Sequence, residues 1–211
     1  MGCCGCEFTG ARLARRSPDH RRVLWLVLAI NAAIFAGEYA AGWLARSTAL
    51  QGDSLDSLGD ALVYGLSLVV AGRALRARAA AALVKGGIQL AFALGVLAQA
   101  LHRLVVGGPP LPPVMLVAAG LALAANATCL WLLTRYRDDD VNMRSVWLCS
   151  RNDVLGNAGV LLAAGLIAWS GWGWLDLLFG AGLAMLFLGT GLGVLRAAWP
   201  QFRAPRAAAT R

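Results

Sequence analysis

Three aspartates that could bind a cation lie close together in the second hydrophobic segment of the sequence. Asp53, Asp56 and Asp60 are spaced i, i+3 and i+7 within the stretch STALQGDSLDSLGD. In an α-helix this spacing places all three carboxylates on one face over two turns. If the helix crosses a membrane, each carboxylate near the bilayer centre costs about 2.5–3.5 kcal/mol on insertion scales. The three carboxylates therefore need a counter-charge, and we expect the chain to provide a place for one.

A second set of polar side chains lies in the fifth hydrophobic segment. Cys149, Asp153 and Asn157 are spaced i, i+4 and i+8, which again places them on one helical face. The second helix should run inward and the fifth outward, so Asp56 should lie level with Asp153. Nearer the inside of the membrane, Asp60 should lie level with Cys149. Two side chains at i and i+4 from each of two helices can form the four-ligand cage expected around a tetrahedral divalent ion.

The charge of these four side chains links metal binding to proton movement. When fully ionised, three carboxylates and one thiolate carry four negative charges, against two positive charges on the metal. Some of these groups must therefore hold protons when the site is empty, and metal entry must release them. Arg151 is not their counter-charge, because it lies about 160–200° around the helix from Cys149 and Asp153.

The composition is that of a polytopic membrane protein. The 211 residues are 59% hydrophobic and 14% charged, with a mean hydropathy of +0.64, which does not describe a soluble globular domain. Several apolar segments reach the roughly 20 residues that span a bilayer. They lie at about residues 23–45, 48–71, 83–106, 112–134, 144–168 and 173–197. The sequence therefore predicts an all-α fold, a six-helix transmembrane bundle.

The basic residues predict the orientation of this bundle. The side that holds both termini carries 16 of the 19 lysines and arginines, and the other side carries Arg46 and Arg103. This asymmetry places both termini in the cytoplasm. The predicted organisation is a cytoplasmic tail at 1–22, a six-helix transport domain at 23–197 and a short cytoplasmic tail at 198–211. The arginines lie beside the ends of apolar segments, so the net charge of +8 does not indicate nucleic-acid binding.

These motifs resemble those of the cation diffusion facilitator family of divalent-metal transporters. The matching pieces are residues 47–60 and CSRND, where the family usually has H-x-x-x-D, and the six-helix hydropathy pattern extends the resemblance over roughly residues 20–200. The resemblance implies export of a divalent transition-metal cation in exchange for protons, without covalent chemistry, so the chain is not expected to be an enzyme. It also implies that the transport-site ligands are Asp56, Asp60, Cys149 and Asp153.

Three departures from the usual family pattern alter the expected metal and assembly. Asp56 and Cys149 stand where histidine is common, and a Cys–Asp pair admits softer ions such as Cd²⁺ beside Zn²⁺. About 14 residues follow the predicted sixth helix, so we expect a short form without the family's cytoplasmic metal-binding domain, and the oligomeric state, a homodimer included, is open. Asp138, Asp139 and Asp140 replace a histidine-rich loop. No cofactor is expected, and the expected partners are divalent ions, protons and the lipid bilayer.

Other polar residues are secondary candidates for the ion pathway. Asp53 lies one turn further out than Asp56 and is interpreted either as an entrance or exit carboxylate or as a helix N-cap. Asn157 would either support a ligand or form an interhelical hydrogen bond. Thiophilic ions could be captured at the cytoplasmic mouth by Cys3, Cys4 and Cys6, which are otherwise ordinary thiols of a disordered tail.

Two further residues and two other functions complete the sequence-based hypotheses. Glu38 could carry protons, but a position at the membrane interface is favoured, and Cys129 is interpreted as a small buried apolar residue. The other functions are a metal sensor or accessory subunit that does not transport, and a carrier of organic cations. The scarcity of lysine beside abundant alanine and glycine indicates a bacterial coding bias, and hence a bacterial inner membrane.

Overall fold

The computed structural model describes residues 18–70, 75–137 and 141–203, and within these ranges the regular structure is entirely helical. The helices are α1 (Pro18–Leu44), α2 (Thr48–Val70), α3 (Leu75–Val106), α4 (Pro112–Thr134), α5 (Val141–Ser170) and α6 (Trp174–Arg203). Short connections join them, so that sequential helices alternate in direction. This arrangement confirms the predicted all-α, polytopic membrane fold.

Five of these helices are long and apolar enough to cross a membrane, and α2 is the exception among the described residues. Every stretch of α2 long enough to span contains Asp53, Asp56 and Asp60. Its 23 residues are nevertheless about 35 Å long at 1.5 Å per residue, which matches a hydrocarbon core of about 30 Å. The helix that carries the acidic residues is therefore the one that most needs its neighbours to shield it from lipid.

Three helices extend beyond the apolar segments that predicted them. Helix α1 begins at Pro18 rather than at residue 23, α3 at Leu75 rather than at 83, and α6 ends at Arg203 rather than at 197. Hydropathy marks only the membrane-embedded part of a helix, whereas backbone hydrogen bonding continues into arginine-rich turns such as that of Arg76 and Arg78. In this case helix length was underestimated because the ends are polar.

The helices pack as neighbouring pairs around α2. The most extensive contacts are between α3 and α6, between α1 and α2, and between α4 and α5, and α2 also packs against α6 and α3. Direct contact between α2 and α5 is sparse. One apolar cluster, which includes Leu24, Leu133 and Val146, lies at the inner end of the bundle, where α1 begins. Another, which includes Leu50 and Met115, lies at the opposite, outer end.

A buried aspartate of α6 fixes the outer end of α2. Asp176 is 0% exposed, and its carboxylate accepts hydrogen bonds from Thr48 N at 2.8 Å, Thr48 Oγ1 at 2.9 Å and Ala49 N at 3.2 Å. The hydroxyl of Ser47 also donates to it, and Arg103 Nη1 lies 2.6 Å from its Oδ2. The first backbone N–H groups of a helix have no partner within the helix, and the positive end of the helix dipole favours a carboxylate there.

This cluster was not predicted from the sequence. Arg103 was interpreted only as a charge that sets topology, and Asp176 was given no role. Arg103 is instead a buried partner that also donates to the carbonyl oxygen of Gly108 at 3.3 Å. The available signal was an aspartate and an arginine inside the ends of two apolar segments, where an unpaired charge is costly.

Candidate metal centre

The predicted ligands lie on α2 and α5, and the burial of these residues follows the predicted faces. Asp53 is 3% exposed, whereas Asp56 and Asp60 are half-buried. On α5, Cys149 is 3% exposed and Asp153 is 5% exposed. The i, i+4 spacing thus turns these side chains away from lipid, as the helical periodicity predicts.

The structure brings together one carboxylate from each of the two helices. The carboxyl group of Asp56 lies within hydrogen-bonding reach of that of Asp153. The two residues therefore lie at the same depth in the bundle, as the sequence predicts. Two carboxylates this close cannot both be ionised without repulsion, so a cation or a shared proton must lie between them.

One turn further in, Asp60 contacts a tyrosine that belongs to the same buried cluster as two cysteines. Its Oδ2 accepts a hydrogen bond from the hydroxyl of Tyr64 at 3.1 Å. Tyr64, Cys129 and Cys149 belong to the same buried cluster, and the charge of Asp60 acts on the Cys129 thiol. From the sequence, Cys129 is interpreted as a small buried apolar residue, because a lone cysteine in an apolar segment is more often that than a ligand. Its position near Asp60 depends on how α4 packs beside α2.

The described residues do not form a closed coordination sphere. Within residues 18–70, 75–137 and 141–203, no three histidine, cysteine, aspartate or glutamate side chains are grouped closely enough to hold one ion. The sparse contact between α2 and α5 agrees with this open arrangement. The assignment of four ligands stays a prediction, which the Asp56–Asp153 pair supports and which requires the two helices to close on the ion.

The remaining polar residues of α5 have simpler roles. Asn157 donates through Nδ2 to the backbone oxygen of Asp153 at 3.1 Å, rather than to its carboxylate, and Asn157 Oδ1 has no hydrogen-bond partner. Arg151 is exposed and lies over the ring of Trp147, 5.7 Å from its centre. It thus lies on another face of α5 than Asp153, as its angular position predicts.

Glu38 does not occupy the interfacial position that the sequence analysis favoured. It is 3% exposed on α1, and its carboxyl group faces that of Asp53. The packing of α1 against α2 explains this burial, because it covers the face of α1 from which Glu38 projects. A glutamate inside a long apolar segment is itself a signal of function. The cysteines of the N-terminal tail, Cys3, Cys4 and Cys6, and the aspartates at 138–140 lie outside the described residues.

Known proteins resemble this chain in sequence over most of its length. Residues 24–201 match the family described as the cation efflux transmembrane domain. The chain is 26% identical over 189 residues to "Zinc transporter ZitB" of Yersinia pestis, which covers 83% of this chain and 58% of the relative. It is 28% identical over 175 residues to the "Cadmium, cobalt and zinc/H(+)-K(+) antiporter" of Bacillus subtilis, covering 75% of this chain and 56% of the relative.

A third relative extends the similarity over more of the chain. It is "Metal cation efflux system protein CzcD" of Cupriavidus metallidurans, 27% identical over 204 residues, covering 88% of this chain and 62% of the relative. The chain thus spans about three fifths of the length of the curated relatives that it matches. The similarity lies in the part that contains the six helices.

Proposed function

This chain belongs to the cation efflux family, and on that premise we propose that it exports a divalent transition-metal cation from the cytoplasm in exchange for protons. The family and the relatives above are named as transporters, an antiporter and efflux proteins, so no covalent step is assigned to the site. The relatives' names give zinc, cadmium and cobalt as their ions. We assign the same class of ion to this chain, with a bacterial inner membrane as its location.

The observation that carries the proposal is the Asp56–Asp153 pair. These carboxylates come from two helices that otherwise have little contact, and both lie in the interior of a membrane bundle. A cation shared between them removes their repulsion and draws α2 and α5 together. When the ion leaves, the two helices are free to separate, which is the motion that alternating access requires.

The second pair of side chains determines which ion is preferred. Asp60 and Cys149 would complete the coordination with one carboxylate and one thiolate. Carboxylates suit hard ions, whereas a thiolate favours soft ions such as Cd²⁺ and borderline ions such as Zn²⁺. A mixed set of three carboxylates and one thiolate therefore favours Zn²⁺ and Cd²⁺ over Mg²⁺ and Ca²⁺.

Proton exchange follows from the charge of the same set. A thiol must lose its proton before it binds a metal, and carboxylates that face each other share protons while the ion is absent. Binding on the cytoplasmic side thus releases protons inward, and release on the other side allows protons to return to the same groups. The coupling needs no separate proton-binding residue.

The experiment that tests this function is metal uptake into reconstituted vesicles. The full chain should accumulate Zn²⁺ and Cd²⁺ when a proton gradient is imposed, and Asp153→Asn should reduce the initial rate by about 100-fold or more, since it removes a charge that contacts the ion. The matched control is Asn152→Ala, which alters the exposed neighbour of Asp153 on the same helix. It should transport like the wild type.

Three outcomes would contradict the proposal. If Asp153→Asn transports metal at the wild-type rate, the assignment of the site is wrong. Metal binding without flux in the wild-type chain would indicate a sensor or accessory subunit. Flux of tetraethylammonium, with no flux of the metals, would indicate a carrier of organic cations.

A further inference from the structure

Glu38 and Asp53 form a second pair of buried acids, on the outer side of Asp56. Each is 3% exposed, and their carboxyl groups face each other across the α1–α2 contact. Asp53 lies three residues before Asp56, which is about 4.5 Å along the helix axis. The metal centre assigned above uses neither residue.

Most of the oxygen atoms of this pair have no partner. Both carboxylate oxygens of Glu38 and Oδ2 of Asp53 are buried without a hydrogen bond, and among the described residues no basic side chain pairs with either group. The acids that influence Glu38 are Asp53 and Asp56, so its surroundings add negative charge. Buried carboxylates without donors are costly, and either a shared proton or a bound cation can satisfy them.

The side of the pair toward α5 lies close to a polar residue of that helix. A Cβ atom placed on Gly156 would lie 3.7 Å from Asp53 Oδ1, so the backbone of α5 approaches Asp53 without filling the space with a side chain. The next residue, Asn157, is 3% exposed and has an Oδ1 atom without a partner. An amide oxygen is a suitable third ligand for an ion held by carboxylates.

An apolar groove runs beside this pair and includes Glu38 in its lining. It lies between α1 and α4, has a volume of about 770 Å³, and is lined by apolar side chains that include Ile34, Ala41, Val114 and Ala118. Glu38 is the one charged residue among those that line it. The lining runs along α1 from Ile30 to Ala41, so the groove extends to both sides of Glu38.

We propose that Glu38 and Asp53 form a second cation-binding subsite, which receives the divalent ion as it leaves Asp56 and Asp153. The direction of transfer rests on the function proposed above, whereas the existence of the subsite does not. Two carboxylates supply fewer protein ligands than the four of the inner site, and water completes the coordination. The subsite therefore binds more weakly, as release to the outside requires.

The test compares Zn²⁺ stoichiometry and flux in single variants of the full chain. Equilibrium dialysis of the purified protein should find a tighter and a weaker Zn²⁺ site. Glu38→Gln should lose the weaker site, keep the affinity of the tighter one within about twofold, and reduce the flux at saturating Zn²⁺ by about tenfold. Asp53→Asn should have the same effect, and Glu38→Asp should recover part of the weaker binding because it keeps the charge.

Control variants separate this subsite from the inner site. Tyr39→Phe alters the neighbour of Glu38 without removing a charge, and it should match the wild type in both measurements. Asp153→Asn should instead weaken the tighter site. If Glu38→Gln does not fold, as judged by gel filtration, the partial loss expected in Glu38→Asp decides the matter.

Two results would overturn the proposal, and they differ from those that would overturn the transport function. If Glu38→Gln retains both Zn²⁺ sites, the pair does not bind the ion, even if flux falls because it carries a proton instead. If Glu38→Gln transports normally while Asp153→Asn does not, the function stands and the subsite is wrong. If the wild type moves no metal but Glu38→Gln loses the weaker site, the subsite stands and the transport function is wrong.

Discussion

Arg103 and Asp176 form a buried ion pair at the outer end of the bundle, with Nη1 of the arginine 2.6 Å from Oδ2 of the aspartate. Their side chains are 8% and 0% exposed. The same aspartate accepts hydrogen bonds from the first residues of α2. The position of α2, and therefore of its three acidic residues, depends on an ion pair between α3 and α6.

Removal of the arginine should destabilise the bundle. Arg103→Gln leaves Asp176 without its positive partner, and loss of one member of a buried ion pair costs about 3–5 kcal/mol. The α2 N-terminus still provides donors to Asp176, so we expect the lower end of that range. The measurement is thermal unfolding in detergent micelles, followed by circular dichroism.

The control for this variant is Arg151→Gln. Arg151 is exposed, so its loss should leave the unfolding temperature nearly unchanged. The double variant Arg103→Gln with Asp176→Asn should be more stable than Arg103→Gln alone, because it removes the uncompensated charge. Equal unfolding temperatures for Arg103→Gln and the wild type would show that the pair contributes nothing to the position of α2.

A close helix crossing provides a second prediction. A Cβ atom on Gly180 of α6 would lie 2.3 Å from the carbonyl carbon and oxygen of Thr48, so Gly180→Ala must move α2 away from α6. Overpacking of this kind costs about 1–3 kcal/mol or more, and here it also disturbs the hydrogen bonds to Asp176. We expect a lower unfolding temperature and reduced metal flux.

Gly182→Ala is the matched control for this crossing. It lies on the same helix, and a Cβ atom there would meet nothing within 4 Å. An alanine is also a better helix former than glycine, so this variant should be as stable as the wild type or more so. If the unfolding temperature falls by a similar amount in both variants, the effect comes from α6 itself and not from its contact with Thr48.

Periodicity and helix direction predicted that Asp56 and Asp153 face the bundle interior at the same depth. Both residues lie near the middle of long helices, and the side chain that faces a neighbour repeats every 3.6 residues, so an error of a few residues at the helix ends does not change the face. Helix direction alternates along the chain, which fixes the relative depth of two distant residues. These two rules give the face and the depth, and the pairing of α2 with α5 was assumed because both helices carry polar side chains spaced i, i+4.

The contacts of Glu38, Cys129 and Asp176 could not be predicted in the same way. Each depends on which helix packs beside which, and hydropathy contains no such information. Glu38 is an isolated acid whose partner Asp53 already belonged to another pattern, and Cys129 is a lone cysteine in an apolar helix. Asp176 accepts from backbone groups and from the hydroxyls of Ser47 and Thr48 at the start of α2, and hydropathy does not show that this end of α2 packs against α6.

The last prediction concerns the ion that the site prefers. Cys149→His replaces a thiolate with an imidazole, which suits Zn²⁺ well and binds Cd²⁺ less strongly than a thiolate does. We therefore expect the ratio of Zn²⁺ to Cd²⁺ uptake to rise by about tenfold in reconstituted vesicles, with Zn²⁺ uptake at least equal to that of the wild type. A neutral ring also removes one negative charge, so fewer protons are displaced by each ion.

The second thiol near the site makes a control necessary. Cys129 belongs to the same buried cluster as Cys149, and the charge of Asp60 acts on its thiol. It is therefore the other residue that could favour a soft ion. If Cys149 alone is the thiolate ligand, Cys129→Ala should leave the Zn²⁺/Cd²⁺ ratio unchanged. If the Zn²⁺/Cd²⁺ ratio changes in Cys129→Ala but not in Cys149→His, Cys129 is the thiolate ligand. If the Zn²⁺/Cd²⁺ ratio changes in neither variant, carboxylates alone bind the ion. A harder ion such as Mn²⁺ would then fit the site better.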